Sequence, residues 1–169
     1  MQIFLIGFMG SGKTTIGENL AARLDLPFTD SDSWIEEKEE RSISEIFAQE
    51  GEAYFRSLER ECILQLDTES RIIACGGGLP CFNGLIDGLK KKGIVIFLET
   101  GVATILENLG DQQIVRPLLH GMSREEMEQT TSRLLELRQE TYRQAHHRIL
   151  TDGKSVESIT TGIIELLHL

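Results

Sequence analysis

Five short runs rich in β-branched and aromatic residues punctuate the chain: Ile3 to Ile6, Phe28 to Asp30, Ile72 to Cys75, Ile94 to Leu98 and Ile149 to Thr151. The longer segments between them carry apolar residues every three or four positions, the period of a helix with one buried face. Ile16, Leu20 and Leu24 share one such face; Phe55, Leu58, Cys62 and Leu66 stripe another after a break at Gly51; Val156, Ile159, Ile163 and Leu166 stripe the last. Ser42 with Glu45 makes a capping-box pattern ahead of Ile43, Ile46 and Phe47. Strands alternating with helices predict an α/β fold with a five-stranded parallel sheet. The stripes are core faces and are assigned no chemistry.

Two stretches depart from strict alternation. Residues 32–66 form a helix-rich insert. Residues 109–123 contain Gly110, Asp111, Gln112, Gln113, Arg116, Pro117, His120 and Gly121 with little periodicity, and a loop of that length in a compact domain reads as a mobile lid. Both are placed to close over the carboxyl ends of the strands, where open α/β sheets bind ligands.

Length changes this picture only by predicting one domain over residues 1–169, since domains average about 150 residues. Charge changes it more. A formal net charge of -10 argues against a nucleic-acid partner, so an anionic ligand must meet a local basic cluster drawn from Lys13, Arg56, Arg60, Arg116, Arg133, Arg138 and Arg143. The run Lys90-Lys91-Lys92 reads as a solvated helix end. Cys62, Cys75 and Cys81 are odd in number and lack metal-ligand spacing, which predicts neither disulfides nor zinc and suits a reducing cytoplasm. No apolar run approaches membrane-spanning length, and a cytoplasmic monomer is expected. His146-His147 has no carboxylate or Cys partner at ligand spacing and is read as a helix-end pair.

Gly7-Phe8-Met9-Gly10-Ser11-Gly12-Lys13-Thr14 satisfies the phosphate-loop pattern, with a strand before it and a helix after it. Its glycines let successive N–H groups turn toward phosphate oxygens, and the helix adds the positive end of its dipole. Lys13 is placed to bridge β- and γ-phosphates and Thr14 to offer its hydroxyl to Mg²⁺.

The remaining signals are weaker alone. Asp30-Ser31-Asp32 ends the second strand, and its spacing serves equally a metal-and-acceptor pair or a turn with a helix N-cap. Gly76-Gly77-Gly78 follows the third strand and is either bare backbone for a ligand or a flexible turn. Arg56 and Glu59 share a helical face, as an oriented guanidinium would, but Glu52 and Arg56 at i, i+4 are also an ordinary surface pair, and by themselves these residues favour that reading. Arg138 and Tyr142, one turn apart, carry the same ambiguity.

Taken together, these residues resemble the shikimate kinase family from end to end. The resemblance rests on the phosphate loop; Phe28 to Asp32 leading to Ile35-Glu36; Ser42 to Phe47; Gly51-Glu52 with Phe55-Arg56 and Glu59; Gly76 to Gly78; Arg116-Pro117-Leu118-Leu119; and Arg138 spaced to Tyr142. It implies a three-layer α-β-α P-loop kinase that phosphorylates the 3-hydroxyl of shikimate with ATP, on the route to chorismate and aromatic amino acids.

It further implies that Gly10, Ser11, Gly12, Lys13, Thr14 and Thr15 hold ATP, and that Thr14 and, through water, Asp30 hold Mg²⁺. Asp32 then receives the acceptor's ring hydroxyls as candidate base. Arg56 and Arg138 clamp its carboxylate, Glu59 orients Arg56, Gly77 and Gly78 line the pocket, and Arg116 arrives with the lid as a catalytic cation. Where many members carry an arginine against adenine, this chain has Leu109; Asp152 resembles the adenine-side loop only loosely. Rival readings are a kinase of the same architecture acting on gluconate or a nucleoside monophosphate, and a silent nucleotide-binding module.

Overall fold

The computed structural model describes residues 1–66, 69–110, 119 and 121–169. In chain order its elements are β1 (Gln2–Ile6), α1 (Lys13–Leu24), β2 (Phe28–Asp30), α2 (Ser31–Glu39), α3 (Ile43–Gln65), β3 (Arg71–Ala74), α4 (Leu85–Lys92), β4 (Gly93–Glu99), α5 (Val102–Leu109), α6 (Arg124–Tyr142), β5 (His147–Leu150) and α7 (Val156–Leu167). A short 3-10 turn covers Leu79–Cys81.

The strands form one parallel sheet in the order β2-β3-β1-β4-β5. Successive side chains of a strand point to opposite faces, and both faces here are apolar. Phe4 and Ile6 of β1, Ile73 of β3, and Val95 and Phe97 of β4 pack with Ile63, Ile86, Leu89 and Tyr142 on one side. Ile3, Leu5, Ile72, Ile96 and Leu98 pack with Ile16, Leu20, Ile159 and Ile163 on the other. The sheet is therefore the middle of three layers.

The insert consists of α2 and α3, with its own small core of Ile35, Ile46, Phe55 and Leu58. Ser42 and Glu45 form the expected capping box at the start of α3. At Gly51 the helix is interrupted by a non-helical residue, φ 80°, the site of the break expected from sequence.

The His146-His147 reading requires correction. Helix α6 ends at Tyr142, and His147 opens β5. The His146 N–H donates to the Val95 carbonyl (2.9 Å) and the Val95 N–H donates to His146 Nδ1 (3.0 Å). Its imidazole thus continues the ladder as an acceptor, so pairing with β4 overrides the local helical pattern. The basic run does close a helix: Lys90 to Lys92 form the last turn of α4, where positive charge faces the negative end of the dipole.

Candidate active site

Because every strand is parallel, the loops after β1, β2 and β3 emerge on one edge, and strand order sets which are neighbours. β3 lies beside β1, and the Cys75 N–H still donates to the Leu5 carbonyl (3.0 Å) beyond the formal end of β3. The segment Gly76 to Gly78 is thereby held against the phosphate loop. A cleft of about 650 Å³ opens there, lined by Gly10 to Thr15, Asp30, Asp32, Gly76 and Gly77, and extending past Thr104, Asn108, Gly153 and Lys154.

The phosphate loop has the features of an anion cradle. Gly10 and Gly12 adopt positive φ (75° and 84°), and α1 begins at Lys13 with no side-chain cap and no acid in its first turn. Its leading N–H groups are left for an external acceptor. Lys13, almost buried, donates through Nζ to the carbonyls of Gly7 (3.0 Å) and Phe8 (2.7 Å).

The two readings of Asp30 prove compatible. Its Oδ1 caps α2 by accepting from the N–H groups of Asp32 (2.9 Å) and Ser33 (3.4 Å), while Oδ2 accepts from the Thr14 hydroxyl at 2.7 Å. Hydroxyl and carboxylate thus stand together beside the phosphate cradle. Such hard oxygen donors fit Mg²⁺, which retains several waters and takes few protein ligands.

Each glycine of the triplet is approached closely by a different group. A methyl added at Gly76 would lie 2.5 Å from Asp32 Oδ1 and 3.1 Å from Glu59 Oε1; one at Gly77 would lie 3.0 Å from the Met9 backbone nitrogen; one at Gly78 would lie 2.8 Å from Arg56 Nη1. The triplet is therefore a packing surface on which acids, phosphate loop and guanidinium converge. Its backbone is pinned as well. The buried Ser31 hydroxyl accepts from the Gly76 N–H (2.7 Å), and the buried Tyr142 hydroxyl donates to the Gly77 carbonyl (2.6 Å).

Arg56 Nη1 donates to Glu59 Oε2 at 2.7 Å, and the guanidinium stacks over Phe82 with its carbon 3.9 Å from the ring centroid. Arg138 stands over the Phe8 ring at 5.4 Å. It is buried, and among the described residues its Nη1 has no hydrogen-bond partner. Glu59 Oε1 is likewise buried without one. Burial pushes the Glu59 carboxyl up to about 7, against the pull of Arg56 and, more weakly, Arg138; Asp32 adds to the rise.

A carboxyl raised in the folded state stabilises the protein most when pH lies below its unfolded value, 4.5, and that contribution is lost as pH rises through about 7. Stability of the wild type should therefore fall, relative to Glu59→Gln, across that window. Urea unfolding of both at several pH values measures the difference; parallel profiles would exclude the buried carboxyl as its source.

Not every anticipated residue belongs to the cleft wall. Arg56, Glu59, Gly78 and Arg138 adjoin it through the contacts above without lining it. Arg116 lies outside the described residues. Leu109 ends α5 rather than opening a loop, and it packs beneath the phosphate loop with Phe8, Ile105, Leu119 and Met127. Asn108, one residue earlier, donates to the Gly10 carbonyl at 2.8 Å. Asp152 accepts from the Gly101 N–H, joining the loop after β5 to the start of α5. Ser31, Phe82 and Asn108 were not singled out from sequence. Only Ser31 carries a signal, its place between two acids at a strand end.

The sequence model of the shikimate kinase family matches residues 9–168. The chain belongs to the shikimate kinase family. Named shikimate kinases align over almost the full length, one from Flavobacterium johnsoniae at 37% identity with 98% of both chains covered, and one from Sulfurihydrogenibium at 40% identity with 96% of this chain and 95% of the relative covered. Among solved structures, shikimate kinase from Acinetobacter baumannii in complex with shikimate superposes with a TM-score of 0.91 at 36% identity, covering 99% of this chain and 92% of that one. Deoxyadenosine kinase from M. mycoides, at 14% identity and a TM-score of 0.62, shares the fold alone with this shikimate kinase family member.

Proposed function

We propose that this chain transfers the γ-phosphoryl group of ATP to the 3-hydroxyl of shikimate, giving shikimate 3-phosphate and ADP in the shikimate pathway. The observation carrying this reading is the convergence of Asp32, Glu59 and Arg56 on the glycine triplet beside the phosphate loop. Family membership and a relative solved with shikimate support it.

In this reading Gly10 to Thr15 hold the triphosphate, and Lys13 leaves the carbonyls of Gly7 and Phe8 to meet phosphate oxygens. Thr14 and, through water, Asp30 would hold Mg²⁺, which would supply neutralisation of phosphate charge. Asp32 accepts the hydroxyl proton as the new O–P bond forms and the bond from the γ-phosphorus to the β–γ bridging oxygen breaks. Arg56, oriented by Glu59, and Arg138 clamp the acceptor carboxylate, with Gly77 and Gly78 presenting backbone. Arg116 is the cation proposed to arrive with the lid. A loose phosphoryl transition state asks mainly for such positioning and charge stabilisation.

Among the described residues no helix is long and apolar enough to cross a membrane. The cytoplasmic, monomeric, single-domain enzyme is part of the same proposal. ADP release should be measured with shikimate, gluconate and nucleoside monophosphates as acceptors. Turnover is expected with shikimate; its absence there would sink the reading.

A further inference from the structure

Arg56 already holds a surface carboxylate in addition to Glu59. Its Nη2 and Nε both donate to a single oxygen of Glu52, Oε1, at 2.9 and 3.3 Å. The two acids paired with this guanidinium differ in their freedom to leave. The Glu59 side chain is 1% exposed, whereas that of Glu52, one turn before Arg56 on α3, is 54% exposed. Glu59 is a fixed orienting partner; Glu52 exchanges a contact with Arg56 for water at little cost.

The edge that Glu52 occupies is the one formed by Nε and Nη2, a fork that receives a planar carboxylate through two parallel hydrogen bonds. Glu52 fills it with one oxygen, an incomplete version of that contact. Arg138 differs, since its buried Nη1 has no hydrogen-bond partner among the described residues. Of the two guanidiniums, one has an open donor and the other has its fork taken. Glu52 and Glu59 both already pair with Arg56, so an incoming carboxylate is accommodated most readily if one of them departs. Glu52 is the exposed one.

We propose that Glu52 is a resident competitor for Arg56, displaced into solvent when the acceptor carboxylate docks, and that it thereby sets acceptor affinity without touching the acceptor. The inference rests on the clamp assigned under the proposed function. Until docking, Glu52 holds the guanidinium extended and paired, so the exchange trades one carboxylate for another without exposing an unpaired buried cation.

Steady-state kinetics of Glu52→Gln and Glu52→Ala with shikimate and ATP test this. The acceptor KM should fall roughly two- to fivefold, the range set by exposed ion pairs, with Ala below Gln because glutamine retains a neutral acceptor oxygen. The gain should appear in KM rather than kcat, leave the KM for ATP in place, and shrink as salt is raised. An acceptor KM unchanged or increased in both variants overturns the exchange. Wild-type enzyme with no shikimate-dependent turnover overturns instead the reading on which the clamp rests, and the inference with it.

Discussion

Replacing Asp32 with asparagine is expected to lower kcat by about 10² to 10⁴, the usual contribution of a positioned general base, while ATP still binds. The reason for the split lies in which atoms each function uses. The Asp32 side chain approaches Gly76, on the proposed acceptor side of the site, whereas its backbone N–H donates to the capping Asp30 Oδ1 at 2.9 Å. Asparagine keeps that N–H and nearly the same shape, so Asp30 remains poised against the Thr14 hydroxyl at 2.7 Å and the phosphate loop is undisturbed. Only the proton acceptor is lost. Single-turnover transfer and nucleotide titration on the same variant separate the two; unchanged turnover would remove Asp32 from the mechanism.

For Arg138→Ala the loss is expected in acceptor binding, with the acceptor KM rising roughly ten- to hundredfold, as for removal of a charge-assisted hydrogen bond. A buried guanidinium whose Nη1 finds no partner among the described residues is costly unless an anion from outside completes it. Its guanidinium stands over the Phe8 ring at 5.4 Å, and neither it nor that ring takes part in the hydrogen bond between Thr14 and Asp30. The KM for ATP should therefore change little. Shikimate saturation curves at fixed ATP provide the measurement, and an unaltered acceptor KM would count against the clamp.

The elements themselves were largely legible in the chain. Each expected strand is present within two residues of its predicted bounds; the inner strands are the plainest, because buried parallel strands are near-continuous apolar runs. The phosphate loop was legible for a different reason, since its function depends on local backbone shape that glycine spacing encodes directly. His146-His147 was misread because its role is set by a partner, Val95, that no local pattern identifies. Leu109 was equally opaque. As the last residue of α5 it is fixed by contacts with Phe8 and Met127, distant in sequence on both sides.

The site shows the same division. Spacing alone could not separate a helix cap from a ligand at Asp30; the structure shows the cap through Oδ1 and leaves Oδ2 against the Thr14 hydroxyl, so the two readings do not compete. Nor could spacing decide whether Arg56 was a surface pair with Glu52 or a guanidinium oriented by Glu59. Both contacts exist, but burial distinguishes them, leaving Glu59 at 1% exposure and Glu52 at 54%. The roles of Ser31 and Tyr142 in pinning the triplet also depend on contacts across 45 and 65 residues.

Periodicity and turn chemistry along the chain thus determined the alternating strands and helices, the phosphate cradle and the supply of acids, glycines and arginines. Tertiary structure decided which of these meet. The sheet sets β3 beside β1 and β2 beside β3, and that order, with α3 packed on the sheet through Ile63, brings Asp32, Glu59 and Arg56 onto Gly76 to Gly78 next to the phosphate loop. Local patterns follow from the geometry of a few consecutive residues, whereas strand order follows from how whole faces are buried, which is a property of the folded chain.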